Sequence, residues 1–533
     1  MKGPKRIDIS PTRLKAFKER HNQRCFTEED YELIGTLMDT LEFVLKILDE
    51  KAATIKRLLR MMFGSPSEKA RAIFKGLKGK RPKVSQSGKR SKKPKGHGRN
   101  GVLAYPGAER IQVRHPSLNH GDPCPDCRKG KVYKTKDPHV PIRFEGRAPI
   151  KATIYEIEKL RCNLCGEIFK ADLPDEAGDK KYDETVGTTI ALLRYGSGFP
   201  HHRIERFQES VGVPLPASTQ WEIVKNASDC VVPAHTEMVR QASRGEIFHN
   251  DDTTMKILSL MGENDEKEND DEVSSKRTGL FTTGILSVIK DRKIALFFSG
   301  RKHCGENLSD ILEQRPPSLA RPIQMCDALS RNLPREFKTV LSNCLCHARR
   351  GFVDVVESYP TQCRYVINTL ARIYRHDAVA RRRNLSAEER LEYHKEKSGP
   401  LMNKLKEWLT SQFAEKKVEP NSSLGKAIIY MLKHWEPLTL FLRKKKAPLD
   451  NNLCEQVLKR AILHRKNSLF YQTENGAEVG DRFMSLIHTC SLSGENPFDY
   501  LTALQKHHAD VAAHPDRWMP WNFQRRLASL KIE

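Results

Sequence analysis

Residues 245–260 read Gly-Glu-Ile-Phe-His-Asn-Asp251-Asp252-Thr-Thr-Met-Lys-Ile-Leu-Ser-Leu260. Two β-rich runs, Ile247–His249 and Met255–Leu260, flank a pair of carboxylates. Further runs follow at Leu280–Ile289 and Lys293–Ser299, and a shorter one, Pro-Ile-Gln-Met-Cys-Asp327, closes at 327. Short apolar and β-branched runs bounded by polar segments predict strands. The acidic stretch 262–276 separates two of them and reads as a surface loop. From 350 to 443 the pattern turns helical, with a capping box at Ser386 and Glu389. Strands followed by a helix-rich stretch predict an α+β domain: a mixed sheet carrying a helical insertion.

Three carboxylates sit at informative places in this frame. Asp251 lies in Phe-His-Asn-Asp-Asp-Thr-Thr-Met, within the β-rich stretch 247–260, and Asp327 ends the short strand. Glu455 follows Pro-Leu-Asp450-Asn451-Asn452-Leu-Cys at the start of a predicted helix, with Asp450 placed as a possible N-cap. Asn451 and Asn452 precede Glu455 by four and three residues and share its face, as does Lys459 four residues beyond. A charged group at or within an apolar strand is costly unless it is paired or binds metal. Taken singly, each acid is equally compatible with an ordinary surface or capping role; composition does not select these three from 67 acidic residues.

Upstream, Cys124-Pro-Asp-Cys127 and Cys162-Asn-Leu-Cys165 are two CxxC pairs with 34 residues between them. Two such knuckles supply four thiolates for a tetrahedral structural Zn²⁺, which lends a small ribbon its folding energy. Four thiolates leave no open position, so catalytic zinc is not expected there. Residues 201–210 and 217–227 predict two helices joined by Val211-Gly212-Val213-Pro214. That suits a helix-turn-helix reader, and equally a plain αα-hairpin. Residues 75–99 hold eleven Lys or Arg and no acid, among them Lys89, Arg90, Lys92 and Lys93. Such a run builds no core; it is a basic linker, either lying on phosphates or acting as a solvated tether. Before it, Ile34, Leu41, Leu48, Ile55 and Met62 recur every seven residues, with Leu37, Val44 and Leu58 between them. That is a coiled-coil seam interrupted by Lys51, or an amphipathic helix packed on its own chain. Phe63-Gly64-Ser65-Pro66 stops it.

The chain is 533 residues long with a formal charge of +25 and a pI near 9.5. Such an excess attracts polyanions, and nucleic acid is the expected partner. No run reaches the roughly 18 apolar residues of a membrane span. The basic N-terminus has no apolar region behind it, so no signal peptide is expected. Thirteen cysteines in so large a chain point to a reducing cytoplasm and to metal binding, not to a disulfide scaffold.

Several motifs resemble bacterial transposases of the insertion sequence 66 family. They are Asp251-Asp-Thr, Cys344-x-x-His347-Ala-Arg349-Arg350-x-Phe352, and Asp450-Asn-Asn-x-x-Glu455 followed by His464-Arg465-Lys466-Asn467-x-Leu469-Phe470. Met62-Phe-Gly-Ser-x-Ser67-Glu-Lys, Gly476-Ala-Glu, Ser485-Leu-Ile and Asn496-Pro-Phe-x-Tyr500-Leu add to them, in that family's order, over about residues 30–505. The resemblance implies a ribonuclease-H-like catalytic core whose Asp-Asp-Glu triad is Asp251, Asp327 and Glu455. These would hold two Mg²⁺ or Mn²⁺ ions for DNA strand cleavage and transfer. It implies DNA contacts from Lys459, Arg465, Lys466, Asn467, Arg349 and Arg350. Cys344 and His347 match a family signature and read as a packed pair, because two ligands do not close a zinc site. The sequence departs from the family at Asp252, commonly Glu, at Ala328-Leu-Ser after Asp327, and at Ser468, commonly Trp.

The expected order is a helical or coiled-coil region over 1–64, a basic linker over 65–115, a zinc ribbon over 116–175 and a helical, helix-turn-helix-like region over 176–240. The catalytic core follows over 241–349 and 444–505, split by the helical insertion 350–443, with 506–533 as a tail. The resemblance further implies a cytoplasmic, nucleoid-associated protein acting on terminal inverted repeats and target DNA. It would work as a dimer or larger on DNA, with small accessory proteins of the same element as further partners. Two rivals keep part of this reading: an inert, repurposed zinc-containing DNA-binding protein, and a zinc-containing RNA-processing nuclease.

Overall fold

A computed structural model describes residues 149–161, 168–262 (less Leu173 and Asp179) and 279–530, with 117–133 (less Arg128) and scattered positions from 17 to 38. The heptad positions from Leu41 onward, the basic linker and the second CxxC pair lie outside the described residues. The chain forms two compact units. One comprises Met1–Lys83, Ala348–His376 and Asn403–Ile429; the other comprises Val84–His347, Asp377–Met402 and Tyr430–Glu533.

The second unit contains a short antiparallel ribbon, β1 (Lys159–Arg161) and β2 (Ile168–Lys170), and a five-stranded sheet. The sheet strands are β3 (Ile247–Thr254), β4 (Phe281–Ile289), β5 (Arg292–Gly300), β6 (Ile323–Cys326) and β7 (Val340–Asn343), in the order β5-β4-β3-β6-β7. The β3–β4 and β4–β5 pairings are antiparallel; β3–β6 and β6–β7 are parallel. This mixed open sheet among many helices fits the ribonuclease-H-like core expected. Apolar residues fill both faces: Ile285, Ile294, Leu296, Phe297, Met325 and Phe248 are fully buried, as expected where helices cover a sheet on each side.

Before the sheet come α1 (Glu184–Ala191), α2 (His201–Ser210) and α3 (Ala217–Ala242). Asp183 caps α1 by accepting from the Thr185 and Val186 amides. The α2–α3 hairpin turns at Gly212, whose φ of 77° favours glycine. Buried Gln208 donates to the Ile150 carbonyl and Gln220 to that of Leu215, fixing the turn. Helix α3 runs fifteen residues past the expected end at 227.

The sequence reading needs correcting at three points. Met255–Leu260 is not a strand: Ile257 makes one parallel bridge to Tyr471, and α4 (Leu258–Gly262) begins at once. Strand β7 carried no signal of its own. Residues 506–530 are not a loose tail but largely helical, with Trp518, Met519 and Phe523 fully buried.

After β5, α5 (Cys304–Glu313) leads to β6. From Leu345 the chain is helical: α6 (Leu345–Asp354), α7 (Pro360–Arg382), α8 (Ala387–Lys397), α9 (Gly399–Ala414), α10 (Ser423–Lys433) and α11 (Trp435–Leu438). The Ser386–Glu389 capping box is present: the Ser386 amide donates to Glu389 at 2.8 Å and the Glu389 amide to Ser386 Oγ at 3.2 Å. In the first unit, Cys363, Val366, Ile367, Leu370 and Ile373 form a buried stripe on α7 at helical spacing.

The chain ends in α12 (Asn452–Ser468), α13 (Glu474–Leu492), α14 (Pro497–Lys506), α15 (His508–Ala513) and α16 (Phe523–Leu530). Helix α13 closes the β5 edge of the sheet. Its Asp481, Ser485 and Thr489, spaced by four, accept from the Ser299, Phe297 and Ala295 amides, spaced by two, at 2.6, 3.0 and 3.0 Å. Four helical residues rise about 6 Å and two strand residues about 6.6 Å, so the two rows stay in step. The exposed donors that make an edge strand prone to aggregation are thereby used up.

Candidate active site

Side chains alternate along β3, so Asp251 and Asp252 face opposite sides of the sheet. The Asp252 side chain is 1% exposed and accepts from Thr283 Oγ1 (2.7 Å) and the Cys304 amide (3.1 Å), with His303 Nδ1 at 3.1 Å. It ties β3 to β4 and to the first turn of α5. Asp251 points the other way and pairs across the ladder with Gly284 of β4.

Gly284 matters because α12 crosses the sheet there. A Cβ at Gly284 would stand 2.8 Å from Leu458 Cδ2 and 3.8 Å from Cys454 Sγ. The Cys454 thiol donates to the Gly284 carbonyl at 3.2 Å. Only glycine lets the helix lie so close. The start of α12 is clamped by Asn451, which is fully buried. Its amide donates to Cys344 Sγ (3.3 Å), its Nδ2 to the Asn250 carbonyl (3.1 Å), and its Oδ1 meets His249 Nδ1 at 3.1 Å. Burial pushes His249 down to about 4, so its neutral ring donates to the Asn451 oxygen. Asn451, not Asp450, is the N-cap; Asp450 accepts from the Asn452 amide one position further on. Glu455 follows one turn into α12, its amide bonded to the Asn451 carbonyl at 3.1 Å.

Parallel pairing of Ile247 with Ile323 through His249 with Met325, continued two residues, sets Asp327 beside Asp251. Asn332 Nδ2 donates to Asp327 Oδ1. Asn332 is itself held: its carbonyl accepts from Asn250 (2.8 Å) and Gln324 (2.7 Å), and its Oδ1 from the Cys304 thiol (2.9 Å). A buried amide network thus supports the second aspartate.

The Asp251 carboxyl is pushed up to about 7, by burial first and then by the charges of Asp327, Asp252 and Glu455; the Asp252 amide, 2.9 Å away, works against this. A buried carboxyl raised in this way by the acids around it suits a cation. Among the described residues, no group of three or more His, Cys, Asp or Glu side chains stands close enough to hold a metal ion as it is. Tyr430, not singled out in the sequence, lies in the same place: burial and then Asp327 push its phenol up to about 12.

The other expected site residues are distributed as follows. Lys459 and Lys466 are exposed on α12, and Asn467 is half-buried beside Gly198. The Arg465 guanidinium bonds Thr253 Oγ1 (3.0 Å) and Thr254 Oγ1 (2.6 Å), bracing the end of β3. Arg349 is buried and Arg350 exposed on α6. Lys89, Arg90, Lys92 and Lys93 lie outside the described residues. Cys344 is a packing residue that receives the Asn451 amide; His347 Nδ1 is buried with no hydrogen-bond partner among the described residues.

The first CxxC pair sits on a knuckle. Pro123 bridges Lys131, and the Cys124 amide donates to the Gly130 carbonyl at 2.8 Å. The Cys127 thiol is lowered by the Lys129 and Gly130 amides, then by Cys124. Amides aimed at a thiol favour the thiolate that binds zinc. Cys162 and Cys165, in the segment joining β1 to β2, lie outside the described residues.

Fold and site together define an α+β protein with acidic residues crowded at the centre of a mixed sheet. Residues 181–479, more than half of the chain, match the family described as Transposase IS66 family. The chain belongs to that family, and DNA is the partner that membership brings. Among curated proteins, it is 27% identical to uncharacterized protein y4hP of Sinorhizobium fredii over 457 residues, covering 79% of this chain and 76% of that one. It is 32% identical to uncharacterized protein y4jD of the same organism over 188 residues, covering 34% and 36%. No solved structure matches. Among the described residues no helix is long and apolar enough to cross a membrane.

Proposed function

We propose that this chain is a DDE-type transposase that cuts the ends of its own insertion element and joins them to target DNA, with Asp251, Asp327 and Glu455 as the catalytic carboxylates. The observation that carries the reading is the crowding at Asp251. A carboxyl raised to about 7 by burial and by the charges of Asp327, Asp252 and Glu455 is a poor resting state without a cation.

Two Mg²⁺ or Mn²⁺ ions held by these carboxylates would activate the attacking oxygen and stabilise the leaving oxygen of an in-line displacement at phosphorus. The chain's residues bind and position. Asp251 on β3, Asp327 just past the end of β6, and Glu455, on the helix clamped by Asn451, supply the anionic oxygens. Asn332 orients Asp327, and exposed Lys459 and Lys466 meet DNA phosphates. In cleavage a water oxygen bonds to phosphorus as the P–O bond to the 3′ oxygen breaks, leaving a 3′-hydroxyl. In joining, that hydroxyl bonds to a target phosphorus and displaces a target 3′ oxygen. One site serves both steps because the bonds exchanged are of one kind.

Around this core we assign a structural Zn²⁺ to Cys124, Cys127, Cys162 and Cys165, and terminal-repeat binding to the N-terminal half. The working form is a homodimer or larger on DNA, with accessory proteins of the same element as further partners. The test is strand transfer by the full chain on DNA carrying the element's own ends, with and without Mg²⁺. Metal-dependent cleavage and joining are expected. Tight DNA binding with no cleavage in Mg²⁺ or Mn²⁺ would instead support the inert, repurposed protein.

A further inference from the structure

Past the end of β3, three residues beyond Asp251, lies an open groove of about 520 Å³ that the reading above does not use. Thr254, Met255 and Lys256 form one wall, and the end of α12 with Leu469 and Phe470 forms the other. Its size falls in the range of small-molecule sites, about 300–1,000 Å³, enough for a nucleobase. Lys256, Arg465 and Lys466 make the rim cationic, and no acidic residue is among the described residues lining it.

Leu469 is unusual in two ways. It is 63% exposed, beside Phe470 at 40%, and its φ is +67°, a conformation that branched, bulky L residues seldom adopt. The surrounding backbone enforces this. The Leu469 amide bonds the Arg465 carbonyl at 2.8 Å and the Phe470 amide that of Ser468 at 2.8 Å. One residue on, the Tyr471 amide bonds the Lys256 carbonyl and the Leu258 amide that of Tyr471, both at 2.9 Å. Strain held in place by its surroundings is characteristic of ligand clamps. Two apolar side chains are thus held rigidly outward, into a groove edged by cations.

We propose that Leu469 and Phe470 are a wedge that separates and stacks one unpaired DNA base close to the cut phosphate. This rests on the transposase reading. Position supports it: Thr254 is three residues along β3 from Asp251, about 10 Å, which matches the axial rise of about three base-pair steps at roughly 3.4 Å each. Charge selects DNA over an apolar protein segment, because the rim offers phosphate partners and the wall a face for stacking. Proteins that open a duplex insert apolar side chains between base steps and stack the freed base on aromatic rings.

The probe is a duplex bearing the element's end with 2-aminopurine placed, one position at a time, within three bases on either side of the cut. Binding by the full chain should raise fluorescence at one position. Phe470→Ala and Leu469→Asn should lose that rise and cut the paired duplex about tenfold more slowly or worse. Both should recover on a duplex whose base at that position is left unpaired. Asn tolerates the positive φ, so the second variant keeps the backbone. No fluorescence rise at any position in a complex that still cuts would overturn the wedge and leave the transposase reading intact. Unaltered base signals with loss of paired-end complexes would make the groove a protein contact. A protein that neither binds nor cuts the element's ends would remove both readings.

Discussion

Asp251 and Asp252 are neighbours in the chain, yet the pleat gives them different work. Asp252 is committed: Thr283, His303 and the Cys304 amide all meet its oxygens. Asp252→Asn replaces one acceptor by a donor in a buried site, so we expect a stability loss of about 1–3 kcal/mol, seen as a lower unfolding midpoint, with DNA affinity kept. An unchanged midpoint together with abolished cleavage would put Asp252, not Asp251, in the reaction. Asn451 is the residue that the sequence undersold. It shares a helical face with Glu455, but nothing in the sequence says that its amide groups close onto His249, Asn250 and Cys344. Asn250, Gln324, Asn332 and Tyr430 were likewise invisible, because a lone polar residue in an apolar strand or helix gives no sign of its partner.

At the scale of elements, the strands with strong apolar runs were legible: β3, β4, β5 and β6 lie where those runs lie. Strand β7 was missed because Val340–Asn343 is four residues with two polar members and is held by pairing with β6, not by a pattern of its own. The α13 clamp was missed because Asp481, Ser485 and Thr489 look like a solvent-facing row, while their partners are far away in sequence. This clamp has a pH signature. Burial pushes Asp481 up to about 7, well above the ordinary carboxylate value. The folded state therefore holds a proton that the unfolded chain releases, and the stabilisation present below about pH 4 is lost as pH rises toward 7. Relative to Asp481→Asn, whose amide can still bond Ser299, the wild type should lose roughly 4 kcal/mol over that interval. Parallel stability curves would remove the buried proton. In the ribbon, purified protein should carry about one zinc per chain, as four thiolates make one tetrahedral site. Cys127→Ser should release it and leave the sheet domain folded. Wild-type protein without zinc, purified free of chelator, would end that assignment.

For the whole molecule, the family and the α+β class were legible because motifs recur in a fixed order along the chain, whereas the helices of 506–530 were not, since Trp518, Met519 and Phe523 show no long repeat. In the proposed reaction two DNA ends are joined, with one active site per end as the simplest supply, and the heptad positions from Ile34 to Met62 are the candidate self-association seam. Leu41→Glu with Leu48→Glu would bury unpaired charge there. Gel-shift and sedimentation measurements should then show loss of paired-end complexes with single-end binding retained; intact paired ends would move the dimer contact elsewhere. The most direct measurement concerns the carboxylates. Asp251→Asn, Asp327→Asn and Glu455→Gln should each bind the element's ends as tightly as the wild type and, in Mg²⁺, cut neither end. Cleavage at the wild-type rate by any one of the three would contradict the proposed triad.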